Sequence, residues 1–213
     1  MLLGLLFSDP LVFITIALGM VVAITVHEFS HALASTLMGD PTAKNEGRLT
    51  LNPASHLTFL GSLMLLVACF GWGNPVPYNP YNLKYPRWGA TLVAIAGPIS
   101  NLVLVAISGI LLRVLFAAQI ISGTNLLFYF LEYLVFINLM LAVFNLIPVP
   151  PLDGSKLLFS ILDAPKYDHI KMWLATRGPI LLLCLIVMDS FLGSNIFGHI
   201  FGFFANAVYG FLF

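Results

Sequence analysis

Residues 11–31 read LVFITIALGMVVAITVHEFSH. A predominantly apolar run, 11–26, ends abruptly in the polar pentapeptide His27-Glu28-Phe29-Ser30-His31. A membrane-spanning helix needs about 20 largely apolar residues, and 10–38 meets that requirement as a first span. On a helix, residues i and i+4 share one face one turn apart, so His27 and His31 project side by side with Glu28 next to them. Two imidazoles at that spacing can converge on one zinc ion, and the adjacent carboxylate can take a proton from a zinc-bound water. Zinc lowers the pKa of such a water towards about 7 and polarises a scissile carbonyl; Glu28 then serves as base and later as acid to the leaving amine. With five His and three Glu in 213 residues, a chance HExxH is expected in well under about 1 in 100 such chains. Ionisable groups within a membrane helix are costly and mark function by default; the competing reading is a satisfied polar cluster that holds helices together.

The rest of the composition agrees with lipid as solvent. Hydrophobic residues make up 60% of the chain and charged residues 8%, whereas a soluble domain carries about 25% charge. A formal net charge of zero leaves no basic surface for nucleic acid. Cys69 and Cys184 sit in apolar stretches without zinc-knuckle or disulfide spacing, and read as small buried hydrophobes. The N-terminal MLLGLLFSDP lacks a positive n-region and a small-residue cleavage site, so it reads as leading into the first span, not as a removable signal.

Further spans are expected at 88–116, 126–147, 178–192 and 196–213. The fold class is therefore an all-α polytopic membrane protein of about five transmembrane helices. It forms a single membrane-embedded domain over 1–213, with a catalytic core at about 11–155 and C-terminal helices at about 156–213. The 57–70 segment is too short to span and suits a re-entrant or interfacial position. Topology supports that assignment. If His27 and His31 are to meet the polar cluster just past the 126–147 helix, both helices run the same way, the helix between them runs the opposite way, and 39–87 starts and ends on one side. This layout puts eight of the nine basic residues on that side, with only Arg113 opposite. The positive-inside rule then makes the side cytoplasmic, the N-terminus external and the active site cytoplasm-facing.

Zinc sites of this kind have a third protein ligand and an open position. Asp153 is a candidate, in FNLIPVPPLDG at 144–154. Its prolines end the helix, and broken backbone at membrane depth is tolerated where it lines a cavity; alternatively, Asp153 caps the helix that starts near Ser155. Asn145 can donate to a developing oxyanion or bind a carbonyl freed by the proline break. Asn101, in AGPISN at 96–101, has the same two readings, and Gly97 with Pro98 points to close helix contact and a kink. His56 could approach the site or, like His169 and His199, be solvated or structural. The 39–51 loop ends in a short β-prone run, and 74–86 is dense in Pro, Asn and Tyr. Together they resemble an ordered lid that could offer an extended edge to a substrate strand.

HEFSHA at 27–32, AGPISN at 96–101, GWGNPVPYNPYN at 71–82 and FNLIPVPPLDG at 144–154 together resemble the site-2 protease family of intramembrane zinc metalloproteases, in its small bacterial and archaeal form. The match covers about 21–155. It implies one zinc ion held by His27, His31 and Asp153, with Glu28 as catalytic base and Asn145 in the substrate site. It also implies hydrolysis of peptide bonds in or near the transmembrane segments of membrane-anchored proteins, in a prokaryotic plasma membrane. The chain shows no PDZ-like insert or CBS-like tail, and Ser155 stands where relatives often carry a second Gly. A membrane metal-ion transporter would need ligands at successive depths, and a non-catalytic scaffold would need no Glu28. Oligomeric state is not legible.

Overall fold

The computed structural model describes residues 2–61, 63, 73–193 and 195–212. Among these the chain is all-α, with no sheet; the β-bridge Leu57–Gly73 is isolated. The helices are α1 (Leu2–Ser8), α2 (Pro10–Leu37), α3 (Thr42–Asn45), α4 (Gly89–Ala117), α5 (Leu126–Asn145), α6 (Gly154–Ile161), α7 (Asp168–Leu192) and α8 (Ile196–Leu212). Four stretches are long and apolar enough to cross a membrane: α2, α4, α5 and Pro165–Asp189, which holds most of α7. Helix α8, with 17 residues, is apolar but shorter. The protein is a polytopic all-α membrane protein.

Helices α2, α4 and α5 form the central bundle, each packed on the other two. Local signals start them where expected. The Asp9 carboxylate caps α2 by accepting from the Val12 N–H at 3.2 Å, followed by Pro10 in the first turn. Asn125 caps α5 by accepting from the Leu127 N–H at 2.8 Å. These groups satisfy N–H donors that the first helical turn leaves orphaned. The bundle core is lined by Val135, Leu139 and Val105, and α8 inserts Leu212 against them.

Helix α6 is strapped across the start of α4. Thr91 Oγ1 donates to the Lys156 carbonyl (3.0 Å) and lies 2.6 Å from Ser160 Oγ, which itself donates to the Arg87 carbonyl (3.0 Å). The turn before α6 folds tightly onto the end of α5. A Cβ on Gly154 would sit 2.3 Å from the Leu146 carbonyl oxygen, so only glycine fits there.

Several expectations are revised. The helix expected over 178–192 begins ten residues earlier, at Asp168. Charged residues bound a span but do not stop a helix, and Lys171 pairs with Asp168 one turn away at 2.7 Å. Cys184 is exposed on α7 rather than buried, since a helix in lipid turns apolar residues outward; Cys69 lies outside the described residues. So does most of the 57–70 segment, and residue 213 of the last expected span. The β-prone 49–51 run forms no strand among the described residues.

The connection after α2 is ordered by one buried carboxylate. Asp40 is fully buried. Its Oδ1 accepts from the Thr42 N–H (3.2 Å), Thr42 Oγ1 (2.6 Å) and Asn82 Nδ2 (3.1 Å), and its Oδ2 from the Asn79 N–H (2.7 Å). The end of α2 is thus tied to the 79–82 turn. Burial alone would raise the Asp40 pKa, but the hydrogen bonds from Thr42, Asn82 and Asn79 outweigh it and hold the carboxyl below its ordinary range. This stabilisation is complete above the ordinary carboxylate pKa and is lost as pH falls through the lowered one. Asp40→Ala, which strands these donors, should cost about 3 kcal/mol, seen as a lower thermal midpoint in detergent, and the difference from wild type should shrink in acid.

Candidate metal centre

His27 and His31 lie one turn apart on the buried face of α2, 5% and 7% exposed. Their rings meet edge to face, with centroids 4.6 Å apart and planes at 89°. Asp153, at the start of α6, reaches both: its Oδ2 lies 3.2 Å from His27 Nε2 and 3.3 Å from His31 Nε2. One ligand atom from each of the three falls within 4.8 Å of the others. The Asp153 side chain makes no capping bond to α6, which removes the cap reading. Because α2 and α5 bring their C-terminal ends to one place, they run in the same direction with α4 opposed, as the topology argument required.

Helix α4 determines which ring nitrogens face inward. His27 Nδ1 is 2.6 Å from Asn101 Oδ1, and His31 Nδ1 is 2.8 Å from the Val93 carbonyl oxygen. The Asn101 amide is oriented by its own bonds, Nδ2 donating to the Ala23 carbonyl (3.2 Å) and to Asn138 Oδ1 (2.7 Å). Asn138 in turn donates to the Leu134 carbonyl at 2.8 Å. Oδ1 of Asn101 and the Val93 oxygen can only accept, so both Nδ1 atoms carry a proton, and in the neutral rings both Nε2 atoms present lone pairs. Asp153 Oδ2 is buried and, among the described residues, has no hydrogen-bond donor of good geometry despite its two short contacts. With the rings neutral, three acceptors aimed at one point suit a cation. Two imidazole nitrogens and a carboxylate oxygen form a donor set suited to zinc with an open fourth position.

Val93, Gly97 and Asn101 follow at four-residue intervals on one stripe of α4. Between the two acceptors, a Cβ on Gly97 would lie 2.5 Å from His31 Cε1 and 2.6 Å from His27 Cε1; glycine leaves room for both rings. Pro98 lacks the N–H that would bond to the Ala94 carbonyl, which loosens this turn.

The structure therefore brings His27, His31 and Asp153 together, with Glu28 next in sequence to one of them. Asn145 ends α5, and one amide hydrogen donates to the Leu141 carbonyl at 3.0 Å. His56 is fully buried with Nε2 2.7 Å from the Thr50 carbonyl oxygen. His169 is exposed, and His199 Nδ1 is 2.6 Å from the Asn195 carbonyl oxygen. Asn138 was missed by sequence reasoning; a lone amide in VFINLML (135–141) carries the same signal of buried polarity as Asn145. The part played by the Val93 carbonyl has no sequence signal at all.

Comparison with known proteins points in one direction. The profile of peptidase family M50 matches residues 114–185. YwhC of Bacillus subtilis is 40% identical over 181 residues, covering 83% of this chain and 81% of its own. Rip2 of Mycobacterium tuberculosis is 32% identical over 205 residues, covering 90% and 71%. Both carry zinc metalloprotease in their names. Zinc metalloprotease MJ0392 of Methanocaldococcus jannaschii is 38% identical over 90 residues, or 41% of this chain and 24% of its own. No solved structure matches the chain at a significant level.

Removing the Asn101 support should loosen metal binding without unfolding the bundle. Asn101→Ala is expected to weaken zinc affinity by about tenfold to a hundredfold, measured by competition with a chromogenic chelator, while helicity by circular dichroism is retained.

Proposed function

The chain belongs to peptidase family M50, and from that premise we propose that it is an intramembrane zinc endopeptidase that cuts membrane-anchored proteins in or near their transmembrane segments. The observation that carries the proposal is the convergence of His27 Nε2, His31 Nε2 and Asp153 Oδ2 one residue from a carboxylate. One zinc ion held by these three would polarise the scissile carbonyl and make a water acidic enough to lose a proton near neutral pH.

The protein's own groups do the rest. Glu28 accepts the proton of the attacking water and returns it to the leaving amine. Asn101 and the Val93 carbonyl keep the imidazoles oriented throughout, as outer partners of metal ligands do elsewhere. Asn145 has one amide hydrogen engaged with Leu141, and its second can be offered to the developing oxyanion. A peptide in regular helix hides its carbonyls, so the substrate unwinds locally before cleavage, and helix-breaking residues in it promote cutting. The 39–51 and 74–86 loops form the lid against which the unwound segment lies.

We further assign the whole chain to one catalytic domain in a prokaryotic plasma membrane, N-terminus external and site facing the cytoplasm. The clustering of eight basic residues on the site's side supports that orientation. A transporter or a scaffold would have no use for Glu28 as a base.

Glu28→Ala separates these readings. It should abolish cleavage of a single-span substrate in reconstituted membranes while one zinc per chain remains by elemental analysis. Undiminished cleavage by this variant would remove Glu28 from the mechanism. Stripping wild type with a chelator should abolish activity, and zinc should restore it.

A further inference from the structure

Beyond the metal ligands lies a second buried polar assembly that touches the site from the loop side. Gly73 packs beside Glu28: a Cβ on it would sit 3.0 Å from Glu28 Oε1 and 3.1 Å from the His56 carbonyl oxygen. Gly73 is bridged to Leu57, and the next N–H, of Asn74, donates to the His56 carbonyl at 2.6 Å. His56 is itself anchored to Thr50 through its ring. The opposite face of Asn74 is gripped by Arg48, whose Nη2 donates to the Asn74 carbonyl.

Arg48 is an unusual residue to find here. It is 7% exposed, and its Nε has no hydrogen-bond partner among the described residues. Burying a guanidinium is expensive unless its charge and donors are used. Its backbone is fixed as well, because the Arg48 N–H donates to the Ala43 carbonyl at 2.8 Å. Asp40 ties the same connection to the 79–82 turn. Arg48 is also within electrostatic reach of Glu28. Thus 73–74 is held on one side by the backbone of 56–57, which the His56 ring ties to Thr50, and on the other by a guanidinium on a rigid base.

We propose that Arg48 is a positioning residue for the peptidase reaction: by gripping the Asn74 carbonyl it keeps the Gly73 backbone against Glu28, so that the carboxylate is confined between its own helix and a fixed wall. The inference rests on Glu28 acting as the base. Loss of the grip lets 73–74 move away and gives Glu28 more conformations, of which few are aligned for proton transfer. The defect falls on turnover, since neither the metal ligands nor their α4 supports are touched.

The test compares Arg48→Ala, Arg48→Gln, Arg48→Lys and Gly73→Ala in full-length protein, with a single-span membrane protein that wild type cleaves. Arg48→Ala should lower kcat by about tenfold to a hundredfold, the cost of a small misplacement at a reacting group, with KM changed by less than about twofold and zinc content unaltered. Hydrogen exchange at the Asn74 amide should quicken. Gln, which keeps a donor without the charge, should recover more activity than Ala. Gly73→Ala should show a similar turnover defect, and the double variant should be little worse than the poorer single one. Wild-type kcat in Arg48→Ala, a defect confined to KM, loss of zinc, or recovery by Lys but not by Gln would each overturn the proposal. If Arg48→Ala does not fold, the Gln and Lys variants decide it. Glu28→Ala runs alongside: full activity there refutes the peptidase mechanism, whereas an inactive Glu28→Ala beside an undiminished Arg48→Ala refutes this inference alone.

Discussion

Three ligand atoms with lone pairs, on two imidazoles and a carboxylate, are pressed to within 4.8 Å of one another in the interior of a helix bundle. A carboxylate and two imidazole nitrogens facing one another at low dielectric are best matched by positive charge between them. Everything around them keeps them together. Helix α2 supplies the two imidazoles at one-turn spacing, the proline-rich turn after α5 delivers the carboxylate, and α6 is fastened to the start of α4 by Thr91 and Ser160 so that the turn cannot swing away. A metal cation held by the three would tie its binding to the stability of the whole arrangement.

Helix α4 has the subtler part. It contributes no ligand, yet a single stripe of it, Val93, Gly97 and Asn101, selects the tautomer of both imidazoles and makes space for their rings. The Asn101–Asn138 pair then links α4 to α5 by a hydrogen bond fully shielded from solvent. Buried amides in lipid-facing helices are tolerated only when their donors and acceptors are matched. Here the matching orients the His27 imidazole and joins two helices at once.

On the loop side, Asp40, Arg48 and His56 are all buried although none belongs to a spanning helix. A connection dominated by Asn, Pro and Gly would ordinarily be loose. These three side chains give it internal hydrogen bonds in place of an apolar core, and they deliver Gly73 to the side of Glu28. In the sequence, His56 stands either for a structural residue or for one that approaches the site, and Arg48 carries no signal beyond its charge. Their importance depends on contacts between positions 26 residues apart, Arg48 with Asn74, which no local pattern encodes.

What the sequence by itself determined is whatever depends on local spacing and on solvent. The apolar runs announce membrane helices because nothing else can satisfy backbone groups in lipid. HExxH places two imidazoles on one face because a helix repeats every 3.6 residues. The parity of crossings constrains the direction of α2, α4 and α5. The tertiary structure alone decided the matters that turn on distance between remote segments: that the Asp153 carboxylate faces the imidazoles instead of capping α6, that Asn101 meets His27, and that a backbone carbonyl holds His31. It also corrected the start of α7, since charge marks the limit of a span but a helix continues wherever its hydrogen bonds can. Local periodicity says which way a side chain leaves its own helix. Only packing says what it meets there.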